Sequence, residues 1–240
     1  MTDALNSYRS TWETKPVLRA VYGDLFDRIV SRCAPGQTLE IGGGIDNLKE
    51  KIASLWTSDI QYSPWLDLVV DAQRLPFPSG GLDNVVMLDV LHHVEWPLLF
   101  LRETARALRS GGRIVMVEPA ITWGSTLFYR FIHHEPMVMS VDPLVEGAPR
   151  ADRDPYDSNQ AIPTLIATRY RNQLHKMIPD LMITEVCWFS FLAYPLSGGF
   201  KKWSLVPLSI VGHLLRAERF FEAKLGRHLG FRMLTVMQKQ

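Results

Sequence analysis

Cysteine is scarce in this chain: Cys33 and Cys187 are the only two in 240 residues. Neither has neighbours at metal-ligand spacing, which argues against a disulfide framework and against a zinc ribbon, and makes a reducing cytoplasm the expected compartment. A surplus of either charge is also lacking. With 26 basic and 25 acidic residues the net charge is +1, so no nucleic acid is expected as a partner on bulk electrostatics. Long hydrophobic runs are missing as well. Trp203 to Leu215 has the most membrane character, but Pro207, Gly212 and His213 interrupt it and it falls short of the roughly 20 residues that a spanning helix needs. Met1 to Ser10 is polar and lacks the basic, apolar, small-residue order of an export signal. Internal repeats and low-complexity tracts are absent. What remains is the composition of an ordinary globular chain, long enough for one α/β domain over 1–240.

The apolar pattern gives that domain its order. Val17, Val21, Leu25 and Ile29 recur every four residues, which predicts a helical entry segment within residues 1–35. Thr38 to Ile41 reads as a strand running into Gly42, Gly43 and Gly44, followed by a helix over Ile45 to Leu55 and a second strand over Leu55 to Ile60. Leu66 to Asp71, Asn84 to Leu88 and Arg113 to Glu118 read as three more strands. A helix marked by Leu98, Leu101, Ala105 and Leu108 precedes the last of them and stops at Gly111-Gly112. Apolar strands separated by helical segments define a doubly wound α/β sheet over 36–119, with helices on both faces. Residues 120–180 form a proline-rich variable lid ending in a helix over Ile162 to Ile178. Met182 to Phe189 and Phe231 to Met237 read as two late strands, with an insertion over 191–228 between them.

The glycine turn lies where an open α/β sheet binds ligands, at the carboxyl ends of its strands. A dinucleotide site has Gly-x-Gly-x-x-Gly or Ala and rests its pyrophosphate on a helix N-terminus. From Gly42 the sixth position is Asn47, and Asp46 would repel a diphosphate. S-adenosylmethionine carries an ammonium and a sulfonium and no phosphate, so carboxylates near the turn suit it. Asp59 stands nineteen positions after Glu40, where an acid accepts from ribose hydroxyls. Asp71 ends the third strand, suited to an adenine amino group, and Asp89 ends the fourth. Glu40, Asp59, Asp71 and Asp89 are thereby expected along one rim.

The ordered set Leu39-Glu40-Ile41-Gly42-Gly43-Gly44, Asp59, Asp71-Ala72 with Leu75-Pro76-Phe77, Asp83-Asn84-Val85-Val86, Leu91-His92-His93 and Leu108-Arg109-Ser110-Gly111-Gly112-Arg113 resembles the class I S-adenosylmethionine-dependent methyltransferases. Within them it is most similar to the small-molecule branch with a ubiquinone-biosynthesis type of core. The resemblance covers about residues 36–119. It implies a Rossmann-like, mostly parallel seven-stranded sheet whose last strand, Phe231 to Met237, is antiparallel. It also implies cofactor contacts from Glu40, Gly42, Gly43 and Gly44, from Asp59 with Ile60, from Asp71 with Ala72, and from Asp89, Val90 and His92. Where many members have a third glycine, this chain has Asp46.

Methyl transfer from a sulfonium requires positioning above all, and a hydroxyl acceptor also requires a base. His92, His93, His133 and His134 are the candidate bases, and Tyr8 and Trp12 are candidate covers of the cofactor. Asp157 to Gln160 offers polar contacts from the lid. Adjacent histidine pairs without carboxylates at ligand spacing give no reason to expect a metal. The expected acceptor is a small or lipid-like metabolite methylated on oxygen or nitrogen. Carbon methylation of a quinone-like ring, or cofactor binding without catalysis in a partner protein, are the alternatives. From residue 196 onward eight basic and two acidic side chains give +6, against −5 for the rest of the chain. Aromatic and aliphatic residues lie among those cations, which makes 196–228 an amphipathic lid, a subunit contact or a peripheral lipid contact.

Overall fold

The computed structural model describes residues 2–131, 136–148, 150 and 152–240. Its strands are β1 (Thr38–Ile41), β2 (Leu55–Asp59), β3 (Leu68–Val69), β4 (Leu82–Leu88), β5 (Leu108–Pro119), β6 (Leu181–Phe189) and β7 (Arg232–Lys239). The helices are α1 (Thr2–Thr14), α2 (Pro16–Val30), α3 (Pro97–Ala107), α4 (Trp123–Phe131), α5 (Ile162–Ala167), α6 (Arg171–Met177), α7 (Ala193–Ser197) and α8 (Leu208–Leu229). One seven-stranded sheet has the order β3-β2-β1-β4-β5-β7-β6. β1 to β5 pair in parallel, and β7 runs antiparallel to both β5 and β6.

Alternation along the central strands builds two cores. Val85, Met87, Ile114 and Met116 face Leu98, Leu101 and Ala105 of α3 together with Ile162 and Ile166 of α5. The intervening Val86, Val115 and Val117 face Leu18, Leu25, Phe26 and Ile29 of α2. A period of two on the strands thus supplies both faces, as a doubly covered sheet requires.

Five predicted elements differ, two of them in length alone: the third strand, expected over Leu66 to Asp71, spans only Leu68–Val69, and the helix expected to stop at Gly111-Gly112 ends at Ala107, where β5 begins. The helix over Ile45 to Leu55 is absent: that segment is a series of turns, because Gly44 (φ +46°) and Asp46 (φ +61°) take left-handed backbone that an α-helix does not admit. The entry segment is two helices, since Lys15 precedes Pro16 and leaves the helical region at φ −116° and ψ +86°. The helix predicted over Ile162 to Ile178 breaks at Thr168 (φ −119°, ψ −86°) into α5 and α6. With no helix between β1 and β2, or between β2 and β3, Trp56 and Val69 on that edge stay exposed.

Candidate active site

The carboxyl ends of β1 to β4 open into a cavity of about 630 Å³. Glu40, Asp59, Asp71 and Asp89 all line it, as do Gly42, Gly43, Gly44, Ile60, Ala72, Val90 and His93. The acids come together because β1, β2, β3 and β4 are parallel neighbours, so their carboxyl ends share one rim.

The turn after β1 is built for close approach. Gly42 has φ +73°, and a Cβ there would lie 2.3 Å from Val90 Cγ2. The Gly43 N–H donates to the Ser58 carbonyl at 2.8 Å, and the Asp46 N–H to the Gly43 carbonyl at 2.9 Å. Asp46 supplies the left-handed residue that glycine supplies elsewhere, at a cost that Asp bears better than most residues. Its carboxylate is outside the cavity lining and lies near Lys49. The predicted repulsion between Asp46 and a ligand at a helix start is therefore corrected, since neither that helix nor that orientation exists. Gly42→Ala is expected to lose about 2–3 kcal/mol, from left-handed strain of ~1–2 kcal/mol plus the Val90 clash. Thermal melts check this, with a decrease of about 5–10 °C expected for a chain of this size.

Glu40 is the buried acid at the base of the site, 4% exposed. Its Oε2 has no hydrogen-bond partner among the described residues. Burial, with Asp46 and Asp59 close by, pushes its carboxyl up to about 8. Asp59 accepts from the Gly44 N–H at 3.3 Å on Oδ2 and from the Gln61 N–H at 2.9 Å on Oδ1. Its pKa is also raised, again through burial. Asp71 takes both bonds from Gln73 on Oδ1, at 2.9 and 3.2 Å, which leaves Oδ2 to accept.

Asp89 has a different partner from the expected one. Its residue stands at φ +60°, and its carboxylate is engaged by Arg232 of β7. That guanidinium is 3% exposed and lies 4.0 Å over the ring of Tyr194. Burial lowers Arg232 to about 10.

The two histidines after β4 part company. His92 is buried, with Nδ1 2.7 Å from Glu118 Oε2, while Glu118 Oε1 accepts from the Val90 and Leu91 N–H groups at 2.9 and 2.7 Å. Its ring therefore clamps the turn to β5. His92 does not line the cavity, which corrects its expected place both among the cofactor contacts and among the bases. His93 does line it, with Nδ1 3.3 Å from the Asp157 carbonyl. A carbonyl can only accept, so Nδ1 carries the proton and Nε2 the lone pair. Burial, then His92, lowers His93 to about 4. His133 and His134 lie outside the described residues. Among the other candidates, Ser158 lines the cavity, whereas Asn159 is bonded to the backbone of Val138.

Sequence reasoning missed one wall. Tyr22, Tyr194 and Phe200 join Tyr8 there, with ring centroids 5.0 Å apart for Tyr8–Phe200 and 5.4 Å for Tyr22–Phe200. Trp12 packs instead on Tyr22 and Phe26. Lys15 fixes the loop that presents Phe200, its Nζ donating to the carbonyls of Gly199, Lys201 and Trp203 at 2.7–2.8 Å. The signal was a lone lysine before a proline, which says nothing of carbonyls more than 180 residues away.

A seven-stranded sheet of this order, with a glycine turn and acids along its carboxyl rim, defines the class I methyltransferase fold. Residues 43–116 match the family described as Methyltransferase domain. The match places a methyltransferase domain on that segment, and S-adenosylmethionine is the cofactor that the fold class implies. In fold it is similar to a protein of Haloferax volcanii solved in complex with the Trm112 methyltransferase activator, at 16% identity over 99% of this chain and 95% of that one, with a TM-score of 0.52. It is also similar to an S-adenosylmethionine-dependent methyltransferase of Thermotoga maritima, at 13% identity over 93% and 91%, with a TM-score of 0.53. No curated protein matches the chain in sequence.

The residues present fit that cofactor. Glu40 offers a buried, unpartnered oxygen to an ammonium, Asp59 and Asp71 offer acceptors for hydroxyl and amino donors, and the glycines leave room that side chains would fill.

Proposed function

We propose that this enzyme methylates oxygen or nitrogen of a small or lipid-like metabolite in the cytoplasm, with residues 196–228 lending peripheral contact to lipid. One observation carries the reading: a cavity wall of Tyr8, Tyr22, Tyr194, Phe200, Pro155 and Tyr156 contains, among the described residues, a single imidazole, His93. The bound cofactor supplies an activated methyl group that leaves a neutral thioether behind. The chain's contribution is to hold acceptor and cofactor in line and to exclude water. Glu40, Asp59 and Asp71 fix the cofactor from the sheet side. His93 keeps its Nε2 lone pair throughout the neutral range and takes the acceptor's proton. The aromatic wall gives an apolar acceptor its contact area.

Because His93 titrates near 4, turnover at saturating cofactor is expected to stay level on the acid side until about pH 5. His93→Gln is expected to lower turnover by about 10²–10⁴-fold while S-adenosylhomocysteine affinity holds; an unchanged rate would remove the base assignment. Methyl-labelled cofactor offered with pools of hydroxy compounds, amines and quinols tests the acceptor class by mass spectrometry of the products. Label on oxygen or nitrogen supports the reading. Label on carbon would favour the second reading, a quinone-like ring stacked on the same aromatic wall.

A further inference from the structure

α4 carries an apolar stripe outward. Trp123, Leu127 and Phe131 stand four residues apart on one side of the helix and are 70%, 43% and 69% exposed. A helix that merely packs on a core turns such a stripe inward. Gly124 seats α4 on the protein: a Cβ there would lie 3.1 Å from the Leu229 Cα, so the first turn of α4 rests against the last turn of α8. On α8, whose Arg227 guanidinium is taken up 5.1 Å over the Trp188 ring, Arg216, Phe220 and Lys224 recur at helical spacing and are exposed. That face lies opposite the buried Val211, Glu218 and Gly226. Phe220 is 76% exposed, and its ring lies 5.1 Å from that of Phe221. Arg219 is spent on Asp24, and Arg28 joins Glu222 to Asp24. Arg216 and Lys224 form no ion pair among the described residues.

We propose that α4 and α8 together form a docking face for an anionic phospholipid bilayer. The inference deepens the lipid contact assigned above to residues 196–228, on which it rests, by adding a second helix and committing to the charge of the lipid. An exposed tryptophan with phenylalanines and a leucine supplies the groups that enter the headgroup boundary, and cations beside them meet anionic lipid. A second copy of this chain fits worse, because the cations of one copy would face those of the other. Among the described residues no helix is long and apolar enough to cross a membrane, so the contact is peripheral.

Flotation of the full chain with vesicles tests this. Binding is expected to vesicles of phosphatidylcholine containing phosphatidylserine, to fall with added salt, and to be absent on phosphatidylcholine alone. The double change Arg216→Glu with Lys224→Glu is expected to weaken binding by at least about tenfold, since each cation near the surface contributes about fivefold. Trp123→Ser with Phe131→Ser, which leaves the charge unaltered, is expected to weaken it by about tenfold as well. Both variants lie outside the cavity, so a retained thermal shift with S-adenosylhomocysteine reports that they fold. Loss on charge reversal with no effect of the α4 changes would overturn the two-helix face and leave the contact of 196–228 standing. Equal recovery with both kinds of vesicle overturns both. A dimer in size-exclusion chromatography that the α4 changes dissolve would assign the face to a second copy instead.

Discussion

Glu40→Gln is expected to weaken S-adenosylmethionine binding by about 30–100-fold while making the cofactor-free protein more stable at pH 8. The two effects have opposite signs because one buried oxygen causes both. Glu40 Oε2 lacks a partner among the described residues, and burial holds its carboxyl up to about 8. A cofactor ammonium would provide the missing partner, and a hydrogen bond to a charged group contributes about 1.5–3 kcal/mol. Glutamine keeps the shape and loses the charge. The native state retains a proton that the unfolded chain has released between the ordinary carboxyl value of 4.5 and about 8. Over that window stability therefore falls as pH rises, by about 1.4 kcal/mol per pH unit for this single group. The glutamine variant should lack that slope. Binding has the reverse dependence. Below pH 8 the carboxyl must lose its proton to meet the ammonium, so affinity should weaken as pH falls and protons should be released on binding. Calorimetry in buffers of different ionisation enthalpy reads that release. Cofactor affinity that is the same at pH 6 and pH 8, together with unaltered affinity in the variant, would remove Glu40 from the ammonium site.

Asp89→Ala is expected to cost about 3–5 kcal/mol of folding stability, because it strands the buried Arg232 guanidinium without its counter-ion. For a chain of this length that corresponds to a decrease of about 10 °C in Tm. Arg232 cannot turn to water, since it is 3% exposed and covered by Tyr194. Arg232→Met should cost less, because Asp89 is 26% exposed in its side chain and can be solvated on the cavity side. Denaturant unfolding of both variants measures the difference, with S-adenosylhomocysteine titrated in parallel. The larger loss is expected in Asp89→Ala, with less than about tenfold change in cofactor affinity. A stable Asp89→Ala variant that has lost cofactor binding would instead make Asp89 a cofactor ligand first and an ion-pair partner second.

These two acids show where sequence reading stops. Both were legible as acids at strand ends, and the parallel sheet brings both to one cavity. Their partners were not legible. Glu40 is defined by the absence of a partner, which no spacing encodes, and Asp89 by an arginine 143 residues further along the chain. His92 and His93 make the same point at closer range. They are adjacent in sequence, yet the first turns inward to Glu118 of β5 and the second lines the cavity. The choice is made by the strand that lies alongside.

The sequence by itself determined the strands and the carboxyl rim, because apolar runs and glycine stops are local signals, while the antiparallel last strand was implied by the family resemblance and not by those signals. It erred where backbone conformation overrode apolar pattern, at Asp46, Lys15 and Thr168. Only the tertiary structure decided which acid is paired, which histidine faces the cavity, how Lys15 holds Phe200 in the wall, and that α4 turns Trp123, Leu127 and Phe131 to solvent. Each of these depends on contacts between segments far apart in the chain. Their energies come from burial and charge in three dimensions, and residue order alone does not carry that information.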